Sequence, residues 1–208
     1  MSKINSTCYL FRNLREVLTI PQMLSLYHAY VESRLRYAIV FWGLSTMSRD
    51  VFICQKRVLR CLAGVDDTVS CRNLFRGFKV LTLAGLLIME VTVKIFHKRT
   101  GLLVGADIHS YNTRQRNLLR VPYSRLTVSQ RSPENVGIRI FNVLPVHIKE
   151  KSDLLAFKRA LKAFLIDNCF YTIEEFFRLC EWQYRVVDGC ESENFRGVHF
   201  LFLQWMFI

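Results

Sequence analysis

The sequence predicts a mainly α fold: a helical bundle, then an irregular arginine-rich segment with one short strand pair, then further helices. Three observations predict it. Apolar residues recur at helical spacing through most of the first hundred positions, Ser, Thr, Pro and Gly stand where those runs should start and stop, and the period vanishes between Gly101 and Arg131. The chain has 208 residues, 51% of them apolar and 22% charged, which suits one globular domain or one domain with a lobe. That balance excludes disordered, collagen-like and low-complexity classes.

Ser6 or Thr7 can cap a helix from Cys8 to about Leu18. Thr19 with Pro21 opens a second that runs to about Phe41, where Gly43 ends it and Tyr37, Phe41 and Trp42 are expected to plug the core. Ser48 caps a third helix, stopped by Gly64. The string CRNLFRG (71–77) follows Ser70 as a short turn, and Thr82 caps a strongly apolar helix from Leu83 to about Arg99 that Gly101 terminates. This last one reads as the core helix. Beyond it, Asn, Thr, Ser and Pro break the pattern, and RLTVSQ (125–130) alternates like a short strand. Ser132 with Pro133 starts a helix ending before Pro145, Ser152 caps another through Asn168, and Thr172 with Glu175 has capping-box spacing for a last one. The organisation is therefore a helical region (1–64), a core-helix region (65–110), a basic linker with C-terminal helices (111–177) and a hydrophobic tail (178–208).

Lys and Arg number 29 against 17 Asp and Glu, a net charge of +12, which attracts polyanions without specifying a fold. The excess is local, because residues 1–64 and 111–151 contribute +6 each. Arg12, Arg15 and Glu16 interrupt any signal-peptide stretch, and the longest uncharged apolar runs, Val80–Met89 and Val198–Ile208, fall short of the roughly 20 residues that span a bilayer. The expectation is a chain of the nucleus or cytoplasm, not secreted, with no membrane span. Seven widely spaced cysteines then read as reduced thiols.

Several strings occur together and in order: YHAYVESRLRYAIVFWG (27–43), QKRVLRCLAG (55–64), SCRNLF (70–75), HSYNTR (109–114), GIRIFNVLP (137–145), FKRALKAFL (157–165) and CFYTIEEF (169–176). As a set, over about residues 4–177, the chain resembles the region that follows the catalytic core in reverse transcriptases of non-LTR (LINE-type, jockey-like) retrotransposons. The resemblance implies a polymerase thumb with a C-terminal extension, which grips primer and template after they leave the active site. It implies no catalysis, because the family's metal-binding carboxylates lie on strands that precede the matched region. Residues 178–208 match nothing in the family.

Asp66 and Asp67 in AGVDDTVS could be mistaken for the catalytic pair, but they follow a helix-ending glycine and precede polar residues, as Asp does in a surface turn. Cys54, Cys61 and Cys71, and Cys180, Cys190 and His199, lack the short ligand pairs of a zinc site, so no metal and no cofactor are expected. His28 and His97 read as packed or capping residues.

The candidate contacts are cations. Arg49, Lys56, Arg57 and Arg60 share one broad side of the third helix, with Val51, Cys54, Val58, Cys61 and Leu62 opposite for packing. Such a stripe can lie along a phosphate backbone and read no sequence. In the second basic segment Arg114, Arg116, Arg120 and Arg125 are interleaved with Tyr111 and Tyr123, followed by Arg131 and Arg139. Arginine forks phosphate and stacks on bases, which suits a single strand held by stacking and charge, whereas arginines that clamp carbonyls and tyrosines that fill a core would make the segment structural. The expected activity is non-catalytic, non-specific binding to RNA or an RNA/DNA duplex. The alternatives are a helical module whose apolar faces bind a protein partner, with the charge serving solubility, or a relic of a truncated element whose tail FLFLQWMFI is a buried segment or translated remnant; exposed apolar faces would also allow self-association.

Overall fold

The computed structural model describes residues 2–107, 111 and 116–187, and among them every regular element is helical. The helices are α1 (Ser2–Leu14), α2 (Ile20–Leu26), which continues through a π-helical turn (Tyr27–Glu32) into α3 (Ser33–Arg36), α4 (Ile39–Trp42), α5 (Ser48–Ala63), α6 (Arg72–Gly77), α7 (Leu83–Lys98), α8 (Thr127–Gln130), α9 (Pro133–Val143), α10 (Val146–Lys149), α11 (Leu154–Asn168) and α12 (Ile173–Val187). The mainly α class is what the periodicity predicted. No helix among the described residues is long and apolar enough to cross a membrane.

Helix α7 is the axis of the molecule. It is apolar on nearly all sides, and Leu86, Leu87, Ile88, Val91 and Ile95 are almost wholly buried. Its first half, Leu83–Met89, is buried all round and must be covered on every side, while Glu90, Val93, Lys94 and His97 line a partly open strip along its second half. The cover comes from α9, α11, α3, α4 and α5. On one flank the Phe96 ring stacks on Phe157 of α11, with centroids 4.3 Å apart. On another, Gln55 of α5 donates from Nε2 to the Leu81 carbonyl (2.9 Å) and to the Tyr27 hydroxyl (2.9 Å). Burial pushes the Tyr27 hydroxyl's pKa far above its ordinary value. Helix α1 packs on α5 and extends this core, with Phe11 buried in the same cluster.

Many caps sit where the sequence put them. The Thr82 hydroxyl accepts from the Gly85 amide (3.0 Å), Ser132 accepts from Asn135 N (3.3 Å), and Thr172 accepts from Glu175 N (3.2 Å). Gly64 ends α5 in the left-handed conformation (φ 67°), with its amide on the Arg60 carbonyl.

Other expectations are corrected. Helix α1 begins at Ser2, so Thr7 is buried within it rather than capping it, and it ends at Leu14, where Val17 and Leu18 return their amides to the Leu14 carbonyl. The second helix does not reach Phe41. It breaks at Tyr37 and Ala38 (φ 52°), and the Trp42 indole N–H donates to the Tyr37 carbonyl that the break leaves open (2.8 Å). Tyr37 and Phe41 are therefore 81% and 78% exposed instead of plugging the core. His28 and His97 are also exposed; His28 pairs with Glu32. Helix α5 starts at Ser48 itself with no side-chain cap, and Asp153, not Ser152, caps α11 by accepting from Ala156 N (2.9 Å). A carboxylate one position nearer the helix also complements its dipole.

The stretch RLTVSQ is not a strand. Its alternating Leu126 and Val128 point to solvent, so the alternation buries nothing, and local bonds from Gln130 N to the Leu126 carbonyl (3.0 Å) wind residues 127–130 into a helical turn. Among the described residues the strand pairing in this region is a single antiparallel bridge elsewhere, between Val104 and Leu119.

Helices α7 and α9 approach closely because Gly137 has no side chain. A Cβ there would sit 2.8 Å from Ile95 Cγ1 and 3.2 Å from the Val91 carbonyl oxygen. The Gly137→Ala variant should lose about 1–3 kcal/mol to this overpacking despite alanine's helix propensity, read as a lower urea midpoint at unchanged slope.

Candidate nucleic-acid interface

The cations proposed from the sequence divide into those the fold uses and those it leaves on the surface. On α5 the packing face is Phe52, Cys54, Gln55, Val58, Leu59 and Leu62, with Val51 and Cys61 at its edge. Arg49, Lys56, Arg57 and Arg60 do share the opposite side. Two of them are engaged. Arg60 donates from Nε (3.0 Å) and Nη2 (2.9 Å) to the Val69 carbonyl and so holds the loop after Gly64. Lys56 Nζ lies over the rings of Phe52 (4.9 Å) and Tyr171 (5.6 Å). Arg49 and Arg57 are exposed, and among the described residues neither has a side-chain partner.

The second basic segment is positioned by Asn142 of α9. Its amide accepts from Leu119 N (3.0 Å) and donates to the Leu119 carbonyl (2.8 Å), occupying both backbone groups as a neighbouring strand would. Residues 103–106 close the other side, with Gly105 N on the Leu118 carbonyl, Ala106 N on that of Arg116, and Arg120 N on that of Leu103. Leu119 is buried, while Arg116, Arg120 and Arg125 project to solvent. Among the described residues none of these three has a side-chain hydrogen bond, ion pair or ring contact. Tyr123 is 86% and Tyr111 77% exposed, so neither fills a core. Arg114 lies outside the described residues. Arg139 belongs to α9 and is half-buried, which lowers its pKa from the usual arginine value, so it does not continue the exposed set.

The two groups of cations hang on different supports. Helix α5 packs on α1, α2, α6 and α7, and the arginine segment on α9, so the structure shows two basic surfaces.

Two arginines missed in the sequence reading join the first surface. Arg12 and Arg15, three apart at the end of α1, line a cavity of about 370 Å³ with Arg60, Cys61, Gly64, Val65, Asp66 and Asp67. The Arg15 guanidinium occupies the place where a Gly64 Cβ would be, so a side chain there would displace it, while the left-handed backbone at 64 is what favours glycine. Their i, i+3 spacing beside a helix C-terminus was the available signal. Asp66 and Asp67 are exposed in the turn after α5, beside these guanidinium groups. Asn142 gave no signal, since only the fold brings it to Leu119.

The cysteines fall into separate groups. Burial, with Cys61 and Cys54 as neighbours, pushes the Cys8 thiol up to about 11. Cys71 instead points at the Lys56 carbonyl (3.8 Å). Among the described residues no cluster of three His, Cys, Asp or Glu side chains could hold a metal ion. Comparison with protein-family models, curated proteins and solved structures returned no match to this chain.

The Asn142→Ala variant should loosen the arginine segment without unfolding the bundle. Two lost hydrogen bonds amount to about 2 kcal/mol of local opening, or trypsin cleavage at Arg116, Arg120 and Arg125 on the order of thirtyfold faster. Limited proteolysis followed by mass spectrometry checks this.

Proposed function

We propose that the protein binds the nucleic-acid backbone without sequence preference and without catalysing a reaction, as the sequence resemblance to the post-catalytic region of non-LTR retrotransposon reverse transcriptases implies. The observation that carries the reading is the contrast among arginines. Arg36, Arg60, Arg72 and Arg99 are spent on carboxylates, carbonyls or rings. Arg116, Arg120 and Arg125 stand exposed beside an exposed tyrosine on a segment anchored from beneath. Guanidinium groups present a planar fork that loses less freedom per phosphate hydrogen bond than an ammonium does, and a solvent-facing Tyr123 offers a plane for an unpaired base. The preferred partners on this reading are single-stranded RNA and an RNA/DNA duplex. A helical protein-interaction module is the second reading, favoured by the exposure of Tyr37 and Phe41 together with Val17 and Ile20.

Binding to a labelled RNA strand and to an RNA/DNA duplex, titrated across salt, tests both. Neutralising about four phosphates predicts a log–log slope near −4. Changing Arg116, Arg120 and Arg125 to Gln should reduce the slope by roughly three, changing Arg49 and Arg57 should reduce it by at most about two, and Tyr123→Ala should cost about 1–3 kcal/mol on the single strand alone. Lys56 and Arg60 are poorer probes, because their substitution also releases Tyr171 or the Val69 carbonyl. Salt-independent or absent binding at low ionic strength would sink the nucleic-acid reading and favour the second.

A further inference from the structure

Where α1 crosses α5, two thiols meet that nothing in the proposed binding uses. Cys8 and Arg12 are one turn apart on α1, and Cys54 and Cys61 are two turns apart on α5, the helix against which α1 packs. Arg12, one turn on from Cys8, lines the same cavity as Cys61, which brings the Cys8 turn of α1 alongside Cys61 of α5. Cys8 and Cys61 are only partly covered, whereas Cys54, Cys71, Cys169 and Cys180 are buried. Cys61 also lines the cavity whose wall carries Arg12, Arg15 and Arg60 against Asp66 and Asp67. Both pairs of walls matter: the accessible thiol has its partner thiol on one side and a net cationic, exposed vestibule on the other.

We propose that Cys8 and Cys61 form an oxidisable dithiol, converted to a disulfide by an anionic low-molecular-weight disulfide of the glutathione type that enters through the arginine-lined cavity. Cys61 is the attacking sulfur. It lines the cavity with Arg12, Arg15 and Arg60, through which an anionic disulfide would approach, whereas Cys8 is not among the lining residues. Its thiolate attacks one sulfur of the reagent, forming a mixed disulfide and expelling one reagent thiolate, which takes the Cys61 proton. Cys8 then attacks the Cys61 sulfur, forming the Cys8–Cys61 bond, and the second reagent thiolate leaves with the Cys8 proton. Two protein thiols are oxidised and one reagent disulfide is reduced to two thiols. The product ties α1 covalently to the helix on which it otherwise only packs.

The test treats the folded, fully reduced chain with oxidised glutathione, or with the cationic disulfide cystamine, and maps the thiols by peptide mass spectrometry after quenching. The expected first product is a peptide pair linked through Cys8 and Cys61, formed several-fold faster with oxidised glutathione than with cystamine. Cys8→Ser should stop at a single glutathione on Cys61, and Cys61→Ser should give neither adduct nor link. Iodoacetamide labelling of the unaltered chain needs no variant and should modify Cys61 first. A first link between Cys71 and Cys169, a link through Cys190, initial adduct on Cys8, faster reaction with cystamine, or linkage only after addition of denaturant would each overturn the proposal.

Discussion

The fold depends on one joint, where the turn between α11 and α12 closes onto the start of α7 and onto α6. At this turn Cys169 takes a left-handed conformation (φ 48°), and the carbonyls of Cys169 and Phe170, both buried residues, point away from any helix ladder. Buried carbonyls must find donors. The Thr82 hydroxyl donates to the Phe170 carbonyl while capping α7, and Arg72 donates from Nη1 to the Cys169 carbonyl (3.1 Å). The same guanidinium reaches Glu175 Oε1 from Nη2 (2.6 Å) and covers the Tyr171 ring at 4.3 Å. These bonds connect residues 88 to 103 positions apart, so they fasten the C-terminal helices to the start of the core helix and to α6.

That joint also explains why the stripe on α5 is not uniform. Tyr171 packs edge-on against Phe52 and Phe75 and lies within reach of both Lys56 and Arg72. Lys56 is thereby drawn from the solvent face toward the aromatic cluster. Arg60, one turn on, is drawn to the Val69 carbonyl of the loop that delivers Arg72 to the joint. Cations are cheap to recruit for such work, because a guanidinium or ammonium satisfies carbonyls and rings that a buried neutral donor would reach less easily. Of the cations proposed to meet nucleic acid, those that no fold contact engages among the described residues are Arg49 and Arg57 on α5 and Arg116, Arg120 and Arg125 on the segment fixed by Asn142.

Much of this architecture was legible in the residues. The apolar run from Leu83 to Lys98 could only be a covered helix, and Thr82, Ser132 and Thr172 announced their helices because a hydroxyl beside unpaired amides has one favourable use. Illegible were the contacts whose partners are distant in sequence. Tyr37, Phe41 and Trp42 read as core aromatics because their type is apolar, yet the break at Ala38 turns two of them outward. RLTVSQ read as a strand because alternation counts residues and not neighbours; with no adjacent strand, Ser124 and Ser129 instead offer their carbonyls to Gln130 and Asn135.

The sequence by itself determined the helical class, the identity of the core helix, most of the caps and the two concentrations of positive charge, since periodicity, capping and charge are properties of residues and their near neighbours. Tertiary structure decided which cations are surface and which are fasteners, that Asn142 would substitute for a missing strand at Leu119, and that Cys8 and Cys61 would face each other from helices 53 positions apart. Those outcomes depend on burial and on unmet hydrogen bonds, and neither exists until distant segments of the chain are brought together.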